Sequence, residues 1–160
     1  MPACCAAWGP AKRWPLENFA RTGDLLAERW GAQILILSGP GEEEFARGVA
    51  SAIKTRAVVL GPQLNGFPMV KSIVKRVAVM VSNDSGPRHI AACFDVPTVV
   101  FVGPFHPIIS DNGHLRTAML WEGVECSPCH RRTCPIDFRC MIRLTPERAV
   151  EAAERMRGRG

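Results

Sequence analysis

SNDSGPRHIAACFDVPTVVFVGP, residues 82–104, places a polar turn, a short amphipathic helix and a buried strand in immediate succession, directly after the apolar run Val77–Val81. Ser82, Asn83, Asp84, Ser85 and Gly86 break that run. Gly86-Pro87 suits a helix start, because proline's missing donor costs nothing in a first turn. Backbone N–H groups at such a mouth lack helical partners and carry partial positive charge, so they can hold a phosphate. Strand, turn, helix and strand in this order make half of a nucleotide-binding α/β sheet. Ile90, Ala91, Ala92, Cys93 and Phe94 read as core, as do Val99, Val100 and Phe101, whereas Arg88 reads as solvent-facing.

Outward from this stretch, helices and strands alternate through short loops. Pro15–Trp30 has the helical period, with Leu16, Phe19, Ala20, Leu26, Ala27 and Trp30 near one face and Gly31 placed to stop it. Ile34–Leu37 is a buried strand. Ser38-Gly39-Pro40-Gly41 then turns into a helix opened by Glu42, Glu43 and Glu44, whose charges suit a helix N-terminus. A strand at Ala57–Leu60, a Gly/Pro/Asn loop and a helix near Phe67–Lys75 follow. After strand 98–102 come a short strand at 118–121, a Cys-rich loop at 126–140 and a closing helix from Pro146 to about Met156. Such alternation predicts an α/β fold: a Rossmann-like parallel sheet with helices on both faces. A doubly wound domain normally opens on a strand, and Met1–Ala7 is a short and poor one. The expectation is therefore a single domain over 1–160 that starts inside a larger fold.

Composition narrows the classes. With 47% hydrophobic and 22% charged residues the chain reads as globular rather than disordered. The N-terminus lacks a signal-peptide layout and no apolar run is long enough to span a bilayer, which makes the cytoplasm the default location. A net charge of +5 fits an anionic partner. The basic residues are dispersed and tyrosine is absent, so nucleic acid is not the expected one. Cys126-x2-Cys129-x4-Cys134-x5-Cys140 gathers four thiols with His130 between them, a set that tetrahedral zinc accepts. The second pair lacks the short spacing of a zinc ribbon, and reduced thiols in a loop folded over the domain are the competing reading. Cys4 and Cys5 belong to the weak opening segment.

Three separated motifs, AAWGPAKRWP at 6–15, LSGPGEEE at 37–44 and SNDSGPRHIAA with VPTVVFVGP at 82–104, carry a resemblance. The chain resembles the C-terminal half of the ADP-heptose:lipopolysaccharide heptosyltransferases, glycosyltransferase family nine. CSPCHRRTCPIDFRCM followed by TPERAVEA looks like the tail of the heptosyltransferase II branch. The resemblance implies the C-terminal domain of a GT-B glycosyltransferase, which holds the ADP-heptose donor. It implies a second, N-terminal domain that holds the lipopolysaccharide core acceptor and the activating carboxylate. Any membrane association would be peripheral, at the inner face of the inner membrane. The alternative is a non-catalytic nucleotide-binding or interaction module left by truncation.

The resemblance also assigns roles. Lys12 would meet the diphosphate as a point charge and, with Asp84, make up the catalytic pair. Glu42 would accept the ribose hydroxyls. Asn83, Asp84, Ser85 and Gly86 would form the donor turn, with Asp84 toward the sugar and the following amides on the phosphates. His89, one helical turn on, would point at the same phosphates. The plainer readings are a solvated loop lysine for Lys12, a helix-end charge for Glu42, a turn cap for Asp84 and a structural histidine for His89. Arg13 reads as a solvated neighbour of Lys12. Gly103-Pro104 is a second turn at the same edge, with a possible sugar contact. Relatives read GPTDP where this chain has GPFHP at 103–107, which leaves His106 as a substitute. No cofactor is required, apart from Mg²⁺ carried by the nucleotide diphosphate as an open option.

Overall fold

The computed structural model describes residues 2–3, 8–60 and 66–158. Cys4, Cys5 and most of the Gly/Pro/Asn loop lie outside them. Six parallel strands and seven α-helices occur among the described residues. They are β1 (Pro2–Ala3), α1 (Leu16–Trp30), β2 (Ile34–Ile36), α2 (Glu43–Ala52), β3 (Ala57–Val59), α3 (Phe67–Val74), β4 (Met80–Asn83), α4 (Gly86–Cys93), β5 (Thr98–Val102), α5 (Pro107–Ser110), β6 (Thr117–Trp121), α6 (Arg139–Ile142) and α7 (Pro146–Arg157). A 3-10 turn covers Pro10–Lys12. No described helix is long and apolar enough to cross a membrane.

The strands form two hydrogen-bonded groups, β1-β4-β5-β6 and β2-β3. Helices cover both faces, as the alternation of β4 shows. Val79 and Val81 face a large apolar cluster built with Phe19, Val49 and Val150 of α1, α2 and α7. Met80, between them, faces a second cluster with Val70, Val74 and Ala91 of α3 and α4. All five residues of β5 are buried, as expected of a central strand covered on both sides. Gly31 ends α1 in the left-handed region at φ 63°, its N–H bonded to the Ala27 carbonyl at 2.9 Å.

Three sequence expectations need correction. The strand predicted at 77–81 runs instead from Met80 to Asn83, since register with β5 pairs Asn83 with Phe101. Cys93 is exposed rather than core, while Ile90 and Phe94 lie half-buried at the margin of the second cluster. Arg88 is buried, at 4% exposure.

The Cys-rich loop folds over the domain and reaches the front of the molecule. The Cys129 and His130 N–H groups donate to the Pro104 carbonyl at 3.0 and 2.9 Å. Ser127 Oγ donates to the Gly103 carbonyl at 2.9 Å. The Ala11 N–H donates to the Arg132 carbonyl at 3.0 Å, tying the loop to the 3-10 turn. That approach requires Gly9: its φ is +151°, and an added Cβ would lie 2.6 Å from the Arg132 carbonyl oxygen. Gly9→Ala is expected to destabilise the fold by about 1–3 kcal/mol, read as a lowered Tm in thermal unfolding. A Tm equal to the parent's would mean that the loop does not pack there.

Candidate functional site

The carboxyl ends of β4 and β5 form the edge where open α/β sheets bind ligands. Asn83 closes β4 with its side chain fully buried, and its Oδ1 accepts the Trp14 N–H at 3.0 Å. Trp14 is itself buried, stacked on Phe101 at 3.7 Å, and its Nε1 donates to the Leu144 carbonyl at 2.9 Å. This corrects the donor-contact expectation for Asn83. Its amide anchors the chain beyond the 3-10 turn, and so places Lys12 at the end of β4.

Lys12 Nζ lies 2.8 Å from Asp84 Oδ2 and 3.2 Å from the Asp84 carbonyl oxygen. It also sits 4.2 Å from the centroid of the Phe105 ring. Arg88 Nε reaches Asp84 Oδ1 at 2.8 Å from the same side of α4, one turn on. Ser110 Oγ donates to Asp84 Oδ2 at 2.8 Å, and Arg88 Nη2 donates to the Ser110 carbonyl. One carboxylate thus gathers two cations and a hydroxyl from three segments of the chain. The solvent-facing reading of Arg88 fails because its guanidinium is the inner member of this cluster. Arg88 Nη1 is buried without a hydrogen-bond partner.

Burial pushes the Asp84 carboxyl up, but Lys12, Ser110 and Arg88 outweigh it and hold it below the usual aspartate range. A carboxylate whose folded value is depressed contributes stability that is fully present above its unfolded value. That contribution is lost as pH falls through the folded one. The Asp84 share of stability should therefore be intact at neutral pH and disappear below about pH 4. In acid titrations of unfolding, Asp84→Asn should flatten that part of the slope. An unchanged slope would remove Asp84 from the linkage.

Ser85 is the N-cap of α4 but makes no side-chain cap; its hydroxyl bonds instead to the Asn83 carbonyl at 3.3 Å. The turn-cap reading of Asp84 is replaced by the ion cluster. Around Gly86, an added Cβ would meet nothing within 4 Å, so the helix mouth is open. His89 is exposed on α4. Partial burial and the Arg88 charge hold its imidazole below the usual histidine value against the opposing pull of Asp84. At neutral pH it can therefore offer a hydrogen bond rather than a full charge.

Glu42 is buried, and its Oε2 accepts the Gly39 N–H at 3.1 Å. Arg13 Nη2 lies 3.7 Å from Glu42 Oε1, and its guanidinium stands 5.0 Å from the Phe45 ring centroid. Arg13 is thus a partner of Glu42, not a solvated neighbour. Arg13, Glu42, Phe45 and Gly48 help to line an open cavity of about 430 Å³. A carboxylate, a guanidinium and an aromatic ring beside such a cavity suit a nucleoside.

The remaining candidates have partners within the fold. Gly103 and Pro104 are buried, and their carbonyls accept hydrogen bonds from Ser127, Cys129 and His130 of the Cys-rich loop. A Cβ on Gly103 would lie 2.5 Å from Met141 Sδ, so packing accounts for that glycine. His106 is occupied as the N-cap of α5, its Nδ1 accepting the Ile108 N–H at 3.3 Å. No three His, Cys, Asp or Glu side chains among the described residues are placed to hold a metal ion. Burial, reinforced by the neighbouring Cys126, Cys129 and Cys134, pushes the Cys140 thiol up to about 11. Mg²⁺ also fits poorly at Asp84, where two cations and a hydroxyl already surround the carboxylate. Arg88, Ser110 and Phe105 join the site only through the fold; the one hint in the sequence is the i,i+4 spacing of Asp84 and Arg88.

The family described as glycosyltransferase family 9 (heptosyltransferase) has a sequence model that matches residues 2–138. Lipooligosaccharide heptosyltransferase 2 of Campylobacter jejuni is 29% identical over 157 residues, covering 94% of this chain and 48% of that protein. Lipooligosaccharide heptosyltransferase 2 of Haemophilus influenzae is 34% identical over 153 residues, covering 91% and 43%. Among solved structures, ADP-heptose lps heptosyltransferase II of E. coli superposes with a TM-score of 0.79 at 23% identity, covering 99% of this chain and 46% of that one. The chain therefore spans about half the length of the curated relatives it matches.

Proposed function

The chain belongs to glycosyltransferase family 9 (heptosyltransferase), and from that premise we propose that it is the donor-binding half of an inverting heptosyltransferase. The donor in this reading is ADP-heptose and the acceptor a hydroxyl of the lipopolysaccharide inner core. The acceptor would be held by a complementary half on the cytoplasmic side of the inner membrane. The observation that carries the reading is Lys12 Nζ, 2.8 Å from Asp84 at the open mouth of α4.

Chemically, departure of ADP builds negative charge on a diphosphate, and a site that meets that charge as it forms accelerates transfer. Lys12 is placed to exchange its Asp84 oxygen for a phosphate oxygen. Arg88 and Ser110 keep Asp84 compensated when Lys12 leaves, so the exchange does not strand a buried charge. The Ser85 and Gly86 amides supply fixed donors at the helix mouth. Glu42 accepts ribose hydroxyls, and the cavity beside Phe45 receives the base. None of these steps needs Mg²⁺.

Calorimetric titration with ADP and ADP-heptose, with GDP and UDP as controls, tests the reading. The expected result is saturable binding of the two adenine ligands and at least tenfold weaker binding of the others. The isolated chain should transfer no sugar, because catalysis requires acceptor and base to be oriented against the donor. Equal binding of all four ligands, or none, would leave the alternative of an interaction module.

A further inference from the structure

Phe105 lies in the turn that leads from β5 to α5, and the Lys12 ammonium sits over its ring, 4.2 Å from Nζ to the centroid. The ring stands outside the core: neither Phe105 nor Trp8 belongs to the two apolar clusters of the fold. It instead meets two other rings edge to face. These are Trp8, with centroids 5.5 Å apart, and His130 of the Cys-rich loop, at 4.8 Å. Trp8 is covered in turn by the Arg132 guanidinium, 4.6 Å from its ring. The backbone beside Phe105 is fixed by the same loop, through Ser127 on the Gly103 carbonyl and through Cys129 and His130 on the Pro104 carbonyl. Two distant segments thus brace one half-buried ring against one lysine.

We propose that Phe105 is the positioning residue for Lys12, seating its ammonium while Lys12 exchanges the Asp84 oxygen for a phosphate oxygen. The electrostatics favour a ring over a second carboxylate in that place. An aromatic face is negative at its centre and attracts a cation. It carries no net charge to repel an arriving diphosphate. It also leaves the N–H directions of the ammonium unfixed, so Lys12 keeps its donors for oxygen. Asp84 has the opposite properties: its oxygens are charged and directional, and Arg88 and Ser110 hold them in place. The Lys12 side chain is only 13% exposed, so water compensates it poorly during the exchange, and the ring stays beside it throughout. The Cys-rich loop enters the site by this route, because His130 braces the ring. The role in binding rests on the reading of Lys12 as the diphosphate contact; the coupling of Phe105 to Lys12 does not.

The test replaces Phe105 in the full chain by mono-, di- and trifluorophenylalanine, which withdraw negative charge from the ring face while keeping its shape. With no ligand present, Tm should fall stepwise, by about 1–4 °C for three fluorines. In a Lys12→Ala background the same series should leave Tm level, which isolates the pair as a double-mutant cycle does. With ADP, the Kd should rise with each fluorine, to about three- to tenfold. The same series at Phe67, exposed on α3, should not move it. A ring with only a structural role would respond to its size and not to its charge. A fluorine dependence of Tm that is the same with and without Lys12 would overturn the proposal, as would a Kd that ignores fluorine in a chain that binds ADP. A parent chain that binds no ADP would remove the donor reading alone, and the Tm cycle would still decide whether Phe105 seats Lys12.

Discussion

Asp84→Ala is expected to cost about 3–5 kcal/mol of folding stability, seen as a fall of roughly 6–20 °C in Tm. The size follows from what the substitution leaves behind. Arg88 is 4% exposed and Lys12 only 13% by side chain, so removing their shared carboxylate strands two cations in a poorly solvated place. Ser110 also loses its acceptor. Asp84→Asn should be milder, because an amide oxygen still receives one of these donors. The ordering matters more than either value. If Asp84→Ala lay within 1 kcal/mol of the parent, the cluster would be a surface arrangement without structural weight.

Lys12→Ala is expected to behave in the opposite sense, with a small effect on stability and a large one on ADP. Asp84 keeps Arg88 and Ser110 in that variant, so no buried charge is abandoned. A lysine hydrogen-bonded to a diphosphate is worth about 1.5–3 kcal/mol, which corresponds to a rise of about 10- to 150-fold in the Kd for ADP. The salt dependence of binding should also weaken, since one phosphate contact is gone. Arg21→Ala, an exposed change on α1, controls for net charge and should leave the affinity unaltered. Equal losses in the two variants would mean that ADP senses only the overall charge of the domain.

Together the two variants would separate the roles proposed for the pair, Asp84 as organiser of the site and Lys12 as the contact to the ligand. Sequence reading put both residues at the donor but gave Asp84 a sugar contact and did not connect it to Arg88. The reason is physical. An arginine after a helix-starting proline has the same local signature whether it faces water or a carboxylate. Only the packing of α5 beside α4, which brings Ser110 onto the same carboxylate, decides between them. Asn83 shows a similar limit. The sequence placed it in the turn after the strand; that it closes β4 with its side chain turned inward depends on the Trp14 N–H, which comes from a distant part of the chain. The Cys-rich loop was legible as a loop. Its docking onto Gly9 and Pro104 rests on contacts between residues far apart in sequence.

The sequence by itself determined the alternation of strands and helices, the parallel sense of the strands, the polar turn after the strand containing Val81, and the family. These are properties of local period, turn chemistry and short motifs, written in neighbouring residues. The tertiary structure alone decided which face Arg88 presents, that Asp84 is an ion-cluster centre, and that the Cys-rich loop docks against the Gly9 turn and Pro104. Each of these depends on groups brought together across the chain, where burial and charge set the outcome and local pattern carries no information.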